Sequence, residues 1–114
     1  LEGREAAAAV CLRPRAMGAG AVLLSLGEDG ALYADHSGCL HAEGLTVPVV
    51  NPAGAGDGMT ACLILGLVRH WEAPEILRRA VAASAAIVTA RGTAELPAAT
   101  MLELLPRVQV RRLE

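Results

Sequence analysis

The sequence predicts an α/β protein with helices on the faces of a mostly parallel sheet that also contains a β-hairpin. Apolar runs of strand length alternate with longer runs of helical length. The chain has 114 residues, of which 54% are hydrophobic, so it can bury one core. No repeat, low-complexity tract or linker interrupts it. We therefore expect a single domain over residues 1–114.

Local patterns define the individual elements. Val and Leu runs bounded by glycine predict strands, and apolar runs of at least ten residues predict helices. Pro74, Pro97 and Pro106 indicate helix starts or ends. In chain order we predict a helix over residues 2–12, strands over 21–26, 31–35 and 39–50, helices over 57–70, 74–89 and 97–105, and a strand over 108–112.

Composition excludes several classes of function. A formal net charge of -2, with a single Trp and a single Tyr, offers neither a basic surface nor a stacking platform for nucleic acid. The longest apolar stretch, residues 59–68, is about half of the ~20 residues that a membrane span needs. The N-terminus lacks signal-peptide character. Cys11, Cys39 and Cys62 are irregularly spaced, which favours reduced thiols and a cytoplasmic location.

The segment Asn-Pro-Ala-Gly-Ala-Gly-Asp at residues 51–57 lies between a strand-like run and a helix-like run. A helix start has unpaired N–H groups and a partial positive charge, so it attracts anions, above all phosphate. Gly54 and Gly56 allow the backbone to approach such a ligand, and Ala55 between them is small. Asp57 has the right chemistry for the base that accepts a hydroxyl proton in phosphoryl transfer. It could instead be a helix N-cap.

Residues 51–64 resemble the C-terminal signature of the ribokinase-like (PfkB) carbohydrate kinases: Gly-Ala-Gly-Asp, three residues, then two small and two apolar residues. Cys62 occupies a position that is usually Ala or Gly. The Asn at position 51 resembles the residue that is found there in the branch that phosphorylates sugar phosphates, which includes 1-phosphofructokinase and tagatose-6-phosphate kinase. The resemblance implies the C-terminal portion of a three-layer α/β/α fold.

A second segment supports this resemblance, because the strand at residues 21–26 ends in a glycine turn. Family members carry Ser/Thr-x-Gly-x-x-Gly here, and this chain has Ser25, Gly27 and Gly30. The resemblance therefore implies that residues 25–30, which we call the Ser25–Gly30 turn, contact ATP. The list of implied ATP-binding residues is Ser25, Leu26, Gly27, Glu28, Asp29, Gly30, Gly56 and Asp57. An ordinary hairpin turn at Asp29-Gly30 is the alternative.

The resemblance further implies ATP and Mg²⁺ as cofactors, Asp57 as the catalytic base, and an anion hole formed by Gly54, Ala55 and Gly56. The expected reaction is phosphorylation of a sugar phosphate, fructose 1-phosphate to fructose 1,6-bisphosphate. We expect no metal ligand among the side chains. Alternatives are another family kinase, acting on ribose or tagatose 6-phosphate, and a non-catalytic nucleotide-binding module.

The resemblance covers nearly the whole chain but about the final third of the family's length. The sugar-binding residues, the lid and an Asn-x-x-Glu segment associated with magnesium have no counterpart here. We therefore expect a C-terminal nucleotide-binding segment that is inactive alone, with dimerisation as one consequence of an open sheet edge.

His36, Cys39 and His41 are close enough in sequence to be considered as zinc ligands. In a strand, Cys39 and His41 would share a face, whereas His36 would lie across a turn. No fourth ligand is evident nearby. A surface hairpin is the interpretation that we favour.

Overall fold

A computed structural model describes residues 20–26, 29–36, 38–47, 55–89 and 98–113 of the chain. Four strands form one sheet in the order β1-β2-β3-β4. They are β1 (Ala21–Ser25), β2 (Ala31–Asp35), β3 (Gly38–Ala42) and β4 (Val110–Leu113). The helices are α1 (Ala55–Val68), α2 (Ala73–Thr89) and α3 (Ala98–Leu104), followed by a 3-10 helix (Leu105–Arg107). None of the described helices has the length and apolar character needed to cross a membrane.

Every pairing between the described strands is antiparallel, so the expectation of a mostly parallel sheet is wrong for this part of the chain. For the β1-β2 and β2-β3 pairs the reason is the length of the connections. Residues 26–30 join β1 to β2, and residues 36–37 join β2 to β3. Parallel neighbours need a crossover of about a dozen residues or more. The predicted hairpin, in contrast, is confirmed.

The helices pack on one face of the sheet through α2. This helix contacts β2, β3 and β4, and α1 and α3 pack against α2. Alanine is the commonest residue on the buried side of α2, which lets the neighbouring elements approach closely. The sheet contributes Ala31, Tyr33, Leu40 and Ala42 to this core.

The opposite face of the sheet is also buried. Leu32, Ala34 and Cys39 form a second apolar cluster, flanked by partly buried side chains of β1 and β4. Because successive residues of a strand point to opposite faces, β2 and β3 are buried on both sides. Both strands are central in the sheet, and their sequences are correspondingly apolar throughout.

A specific backbone motif ends α1. His70 has φ 58, and the Trp71 N–H donates to the Gly66 carbonyl over 2.9 Å. The His70 N–H donates to the Leu67 carbonyl, which completes a Schellman motif. Trp71 then packs against the core and carries the Arg79 guanidinium 4.5 Å from its ring centroid. His70 is thus a capping residue of α1, and Trp71 is a packing residue.

Most predicted boundaries agree with the structure within two residues, but the third strand does not. Strands were predicted over residues 39–50, whereas β3 covers Gly38–Ala42 and residues 48–50 lie outside the described residues. Residues 43–47 have no regular structure; the Glu43 N–H donates to the carbonyl of Gln109, the residue before β4. Arg107 also donates to the Thr46 carbonyl over 3.3 Å. The helix predicted over residues 2–12 lies outside the described residues.

Candidate functional site

The first turn of α1 contains three of the predicted site residues. The helix begins at Ala55, so Ala55, Gly56 and Asp57 are its first three residues. N–H groups at this end of a helix have no carbonyl partner four residues earlier within the helix. A Cβ added at Gly56 would meet nothing within 4 Å, so the backbone is open there. Gly54 lies outside the described residues.

Asp57 is exposed and is the acidic residue of this first turn. The ion pairs of Arg79 with Glu75 and of Arg111 with Glu43 do not involve Asp57. The Thr60 hydroxyl donates to the Gly56 carbonyl over 3.0 Å, and this bond uses none of the N–H groups of the first turn of α1. Because α1 begins two residues earlier, Asp57 lies inside the helix rather than at the N-cap.

The Ser25–Gly30 turn directly follows β1. Ser25 and Asp29 are exposed, Leu26 is half-buried and Gly30 is buried with φ 90. The Leu26 N–H donates to the Gly30 carbonyl over 2.8 Å, and the Asp29 N–H donates to the Leu26 carbonyl over 3.1 Å. The segment is therefore the hairpin turn between β1 and β2, and its outer residues are accessible to a ligand.

Two predicted members of this turn, Gly27 and Glu28, lie outside the described residues. The structure thus describes the predicted residues as two local groups, one on the turn and one at the start of α1. Helix α2 packs against both α1 and the strands β2 and β3.

The His-Cys-His segment is a hairpin, but it is not at the surface along its whole length. His36 is exposed at the turn, whereas Cys39 is 5% exposed and His41 is 1% exposed. The reason is that β3 is a central strand covered on both faces. In the part of the chain that the structure describes, no group of three or more His, Cys, Asp or Glu side chains could hold a metal ion.

Sequence reasoning missed one contact at the Ser25–Gly30 turn. The His41 Nε2 atom lies 2.8 Å from the Asp29 carbonyl oxygen, 12 residues earlier in the chain. The strand alternation of β3 placed His41 on a face, but it did not show that this face meets the turn.

The two described cysteines are free and buried. Burial raises the pKa of the Cys39 thiol above its usual value. Burial also raises the pKa of the Cys62 thiol, an effect that the positive charge of Arg79 partly opposes. Both side chains therefore remain thiols near neutral pH and are poor nucleophiles.

Residues 1–100 match the sequence profile of the pfkB family carbohydrate kinases. The chain belongs to this family. The recognition made from residues 51–64 and from the Ser25–Gly30 turn is therefore confirmed, and the α/β fold is that of the ribokinase-like kinases.

Characterised relatives of the pfkB-family chain include sugar phosphate kinases. The chain is 40% identical over 75 residues to the 1-phosphofructokinase of Escherichia coli (strain K12), and the match covers 66% of this chain and 24% of that protein. It is 41% identical over 75 residues to the D-tagatose-1-phosphate kinase of Bacillus licheniformis, covering 66% and 25%.

A solved structure extends the comparison to three dimensions. Phosphofructokinase-2 from Escherichia coli, crystallised with potassium, superimposes with a TM-score of 0.77 at 27% identity, covering 90% of this chain and 33% of that one. The pfkB-family chain therefore spans about a quarter of the length of the curated relatives and about a third of this solved structure.

Proposed function

We propose that this chain is the nucleotide-binding part of an ATP-dependent sugar phosphate kinase of the pfkB family. The observation that carries the proposal is the open first turn of α1. Gly56 is exposed, a Cβ built on it would meet nothing within 4 Å, and the exposed Asp57 is adjacent. Amide donors beside a carboxylate that has no ion pair with the described residues are what a site needs to hold a phosphoryl group and take a proton from its acceptor.

In the proposed reaction, the backbone N–H groups of Gly54, Ala55 and Gly56 donate to oxygens of the transferred phosphoryl group. Asp57 accepts the proton of the attacking sugar hydroxyl. The new bond from the hydroxyl oxygen to phosphorus forms while the bond from phosphorus to the departing nucleotide oxygen breaks. These groups contribute by alignment and by stabilising charge on the phosphoryl oxygens.

The nucleotide itself would extend along the Ser25–Gly30 turn. The exposed positions Ser25 and Asp29, with Gly27 and Glu28, would lie nearest to it. Mg²⁺ bound to the nucleotide phosphates would supply further charge neutralisation.

We propose fructose 1-phosphate as the acceptor, on the strength of Asn51 and of the likeness to 1-phosphofructokinase. The likeness to D-tagatose-1-phosphate kinase supports a related ketose phosphate as the main competing substrate. We further propose that the protein acts in the cytoplasm, without nucleic-acid or membrane partners, and that it forms homodimers.

The proposed site can be tested with one pair of glycine variants. Gly56→Ala places a methyl group where the phosphate would approach, although no protein atom lies within 4 Å of it. Folding should therefore be unharmed, and helix propensity should raise stability by up to ~1 kcal/mol. ATP affinity, measured by isothermal titration calorimetry with Mg²⁺, should fall at least tenfold. Gly20→Ala is the matched control, because its Cβ is equally free of contacts.

Product formation separates the alternatives. Fructose 1,6-bisphosphate formed from ATP and fructose 1-phosphate would support catalysis by the chain itself, and Asp57→Asn should then abolish turnover while ATP still binds. ATP binding without product would support a non-catalytic nucleotide-binding module. Equal ATP affinity in Gly56→Ala and Gly20→Ala would refute the phosphate site at the start of α1.

A further inference from the structure

His41 is a buried polar side chain that the proposed chemistry does not use. It lies on β3 opposite Leu32 of β2 and is 1% exposed. Its Nε2 atom is 2.8 Å from the Asp29 carbonyl oxygen. Because a carbonyl oxygen can only accept, this bond requires the tautomer with the proton on Nε2. The imidazole thus ties the Ser25–Gly30 turn to β3.

The second ring nitrogen has no such role. Nδ1 of His41 is buried and has no hydrogen-bond partner among the described residues. A buried polar atom without a partner is destabilising, so an apolar side chain of similar size would pack here at lower cost. The bond from Nε2 to Asp29 is the contact that accounts for a histidine at this position.

The backbone supplies a second anchor at the neighbouring residue. Gly30 has φ 90, and a Cβ there would overlap the Ala42 carbonyl oxygen and lie 2.7 Å from the Gly44 nitrogen. The end of the turn is therefore in direct contact with the backbone that leaves β3. Gly30 sets how closely the turn approaches β3, and the His41 bond sets the orientation of the peptide between Asp29 and Gly30.

We propose that His41 is a positioning residue for nucleotide binding: its hydrogen bond to the Asp29 carbonyl holds the Ser25–Gly30 turn in the conformation that accepts ATP. This inference rests on the proposed function, since it assumes that the turn contacts the nucleotide. His41 does not touch the ligand. It acts through the turn by limiting the conformations that the free protein samples, which lowers the ordering cost of binding.

Three variants of the full chain test this role. His41→Leu removes the donor but keeps an apolar side chain in the buried site. His41→Gln returns an N–H donor at a similar distance from the backbone. Cys39→Ala is the matched control, because Cys39 lies two residues away on the same face of β3 and is also buried, and its thiol makes no hydrogen bond to the described residues of the turn.

Two readouts are expected to change together. In His41→Leu, ATP affinity should fall about three- to tenfold, the range expected for one hydrogen bond. The amides of Leu26 and Asp29, whose hydrogen bonds close the turn, should exchange with deuterium faster without nucleotide, whereas amides of α2 should not. His41→Gln should recover most of both effects, and Cys39→Ala should show neither.

The proposal would be overturned if His41→Leu matched Cys39→Ala in both readouts, or if all amides exchanged faster to the same extent. If His41→Leu fails to fold, His41→Gln and the ¹⁵N spectrum of the wild-type imidazole test the proposal instead. A proton on Nδ1 rather than on Nε2 would contradict the hydrogen bond from His41 to the Asp29 carbonyl. If the wild type bound no ATP, the proposed function would fail, whereas the exchange and tautomer measurements would still decide whether His41 anchors the turn.

Discussion

Substitution of Gly30 by alanine is the sharpest test of how the turn sits on the sheet. The residue has φ 90, a conformation that costs a residue with a side chain about 1–3 kcal/mol. The added Cβ would also overlap the Ala42 carbonyl oxygen. That oxygen belongs to backbone and cannot rotate away as a side chain can, so overpacking adds about 1–3 kcal/mol.

Relief of this overlap would disturb two ladders, because Ala42 pairs with Ala31 on one side and with Val110 on the other. We therefore expect Gly30→Ala to lower the free energy of unfolding by about 2–6 kcal/mol. At roughly 4 °C per kcal/mol for a domain of this size, the Tm should fall by about 8–24 °C.

Urea and thermal denaturation followed by circular dichroism measure the effect. Gly20→Ala is the control, since its Cβ would meet nothing within 4 Å. A Gly30→Ala protein whose unfolding free energy lay within about 0.5 kcal/mol of this control would refute the close approach of the turn to β3.

Two further predictions concern α1. The free energy of unfolding of Gly66→Ala, measured in urea, should be about 2 kcal/mol lower than that of Gly58→Ala. The Cβ added at Gly66 would lie 2.5 Å from Ile76 Cγ1 and 3.0 Å from Trp71 Cε3, whereas Gly58 faces mainly the flexible end of one isoleucine. Equal stabilities of the two variants would contradict this packing. Burial raises the pKa of the Cys62 thiol in the folded protein above its ordinary value of 9.0. The contribution of the buried neutral thiol to stability should therefore be complete below pH 9.0 and should be lost as the pH rises toward the folded-state pKa. Iodoacetamide labelling followed by peptide mass spectrometry should be slow at Cys62 in the native state and fast in urea, and equal rates would contradict its burial.

Much of the local structure could be predicted from the sequence, because it depends on neighbouring residues. The β2 strand was predicted over residues 31–35 and is observed as Ala31–Asp35. The helix predicted over residues 74–89 is observed as Ala73–Thr89. Alternation, proline positions and alanine content are short-range signals, and they define such elements directly.

The direction of the strands and the burial of their side chains could not be predicted without the tertiary structure. Alternating strands and helices suggested parallel pairing, but three consecutive strands are joined by short connections, and β4 joins the sheet beside β3 after three helices. His41 was assigned to a surface hairpin because no fourth zinc ligand is evident near His36, Cys39 and His41. Its burial depends on what packs on both faces of β3, which is a long-range property.

The candidate site could likewise be predicted only in part from the sequence. Gly54, Gly56 and Asp57 could be singled out from the sequence because glycine and carboxylate spacing before an apolar helix is a local pattern. The contact between His41 and Asp29 joins residues 12 positions apart, and only the pairing of β2 with β3 brings them together. The sequence alone therefore indicated which residues to propose as the phosphate site and as the base. The tertiary structure decided that His41 meets the Ser25–Gly30 turn, because that contact depends on the antiparallel register of the sheet.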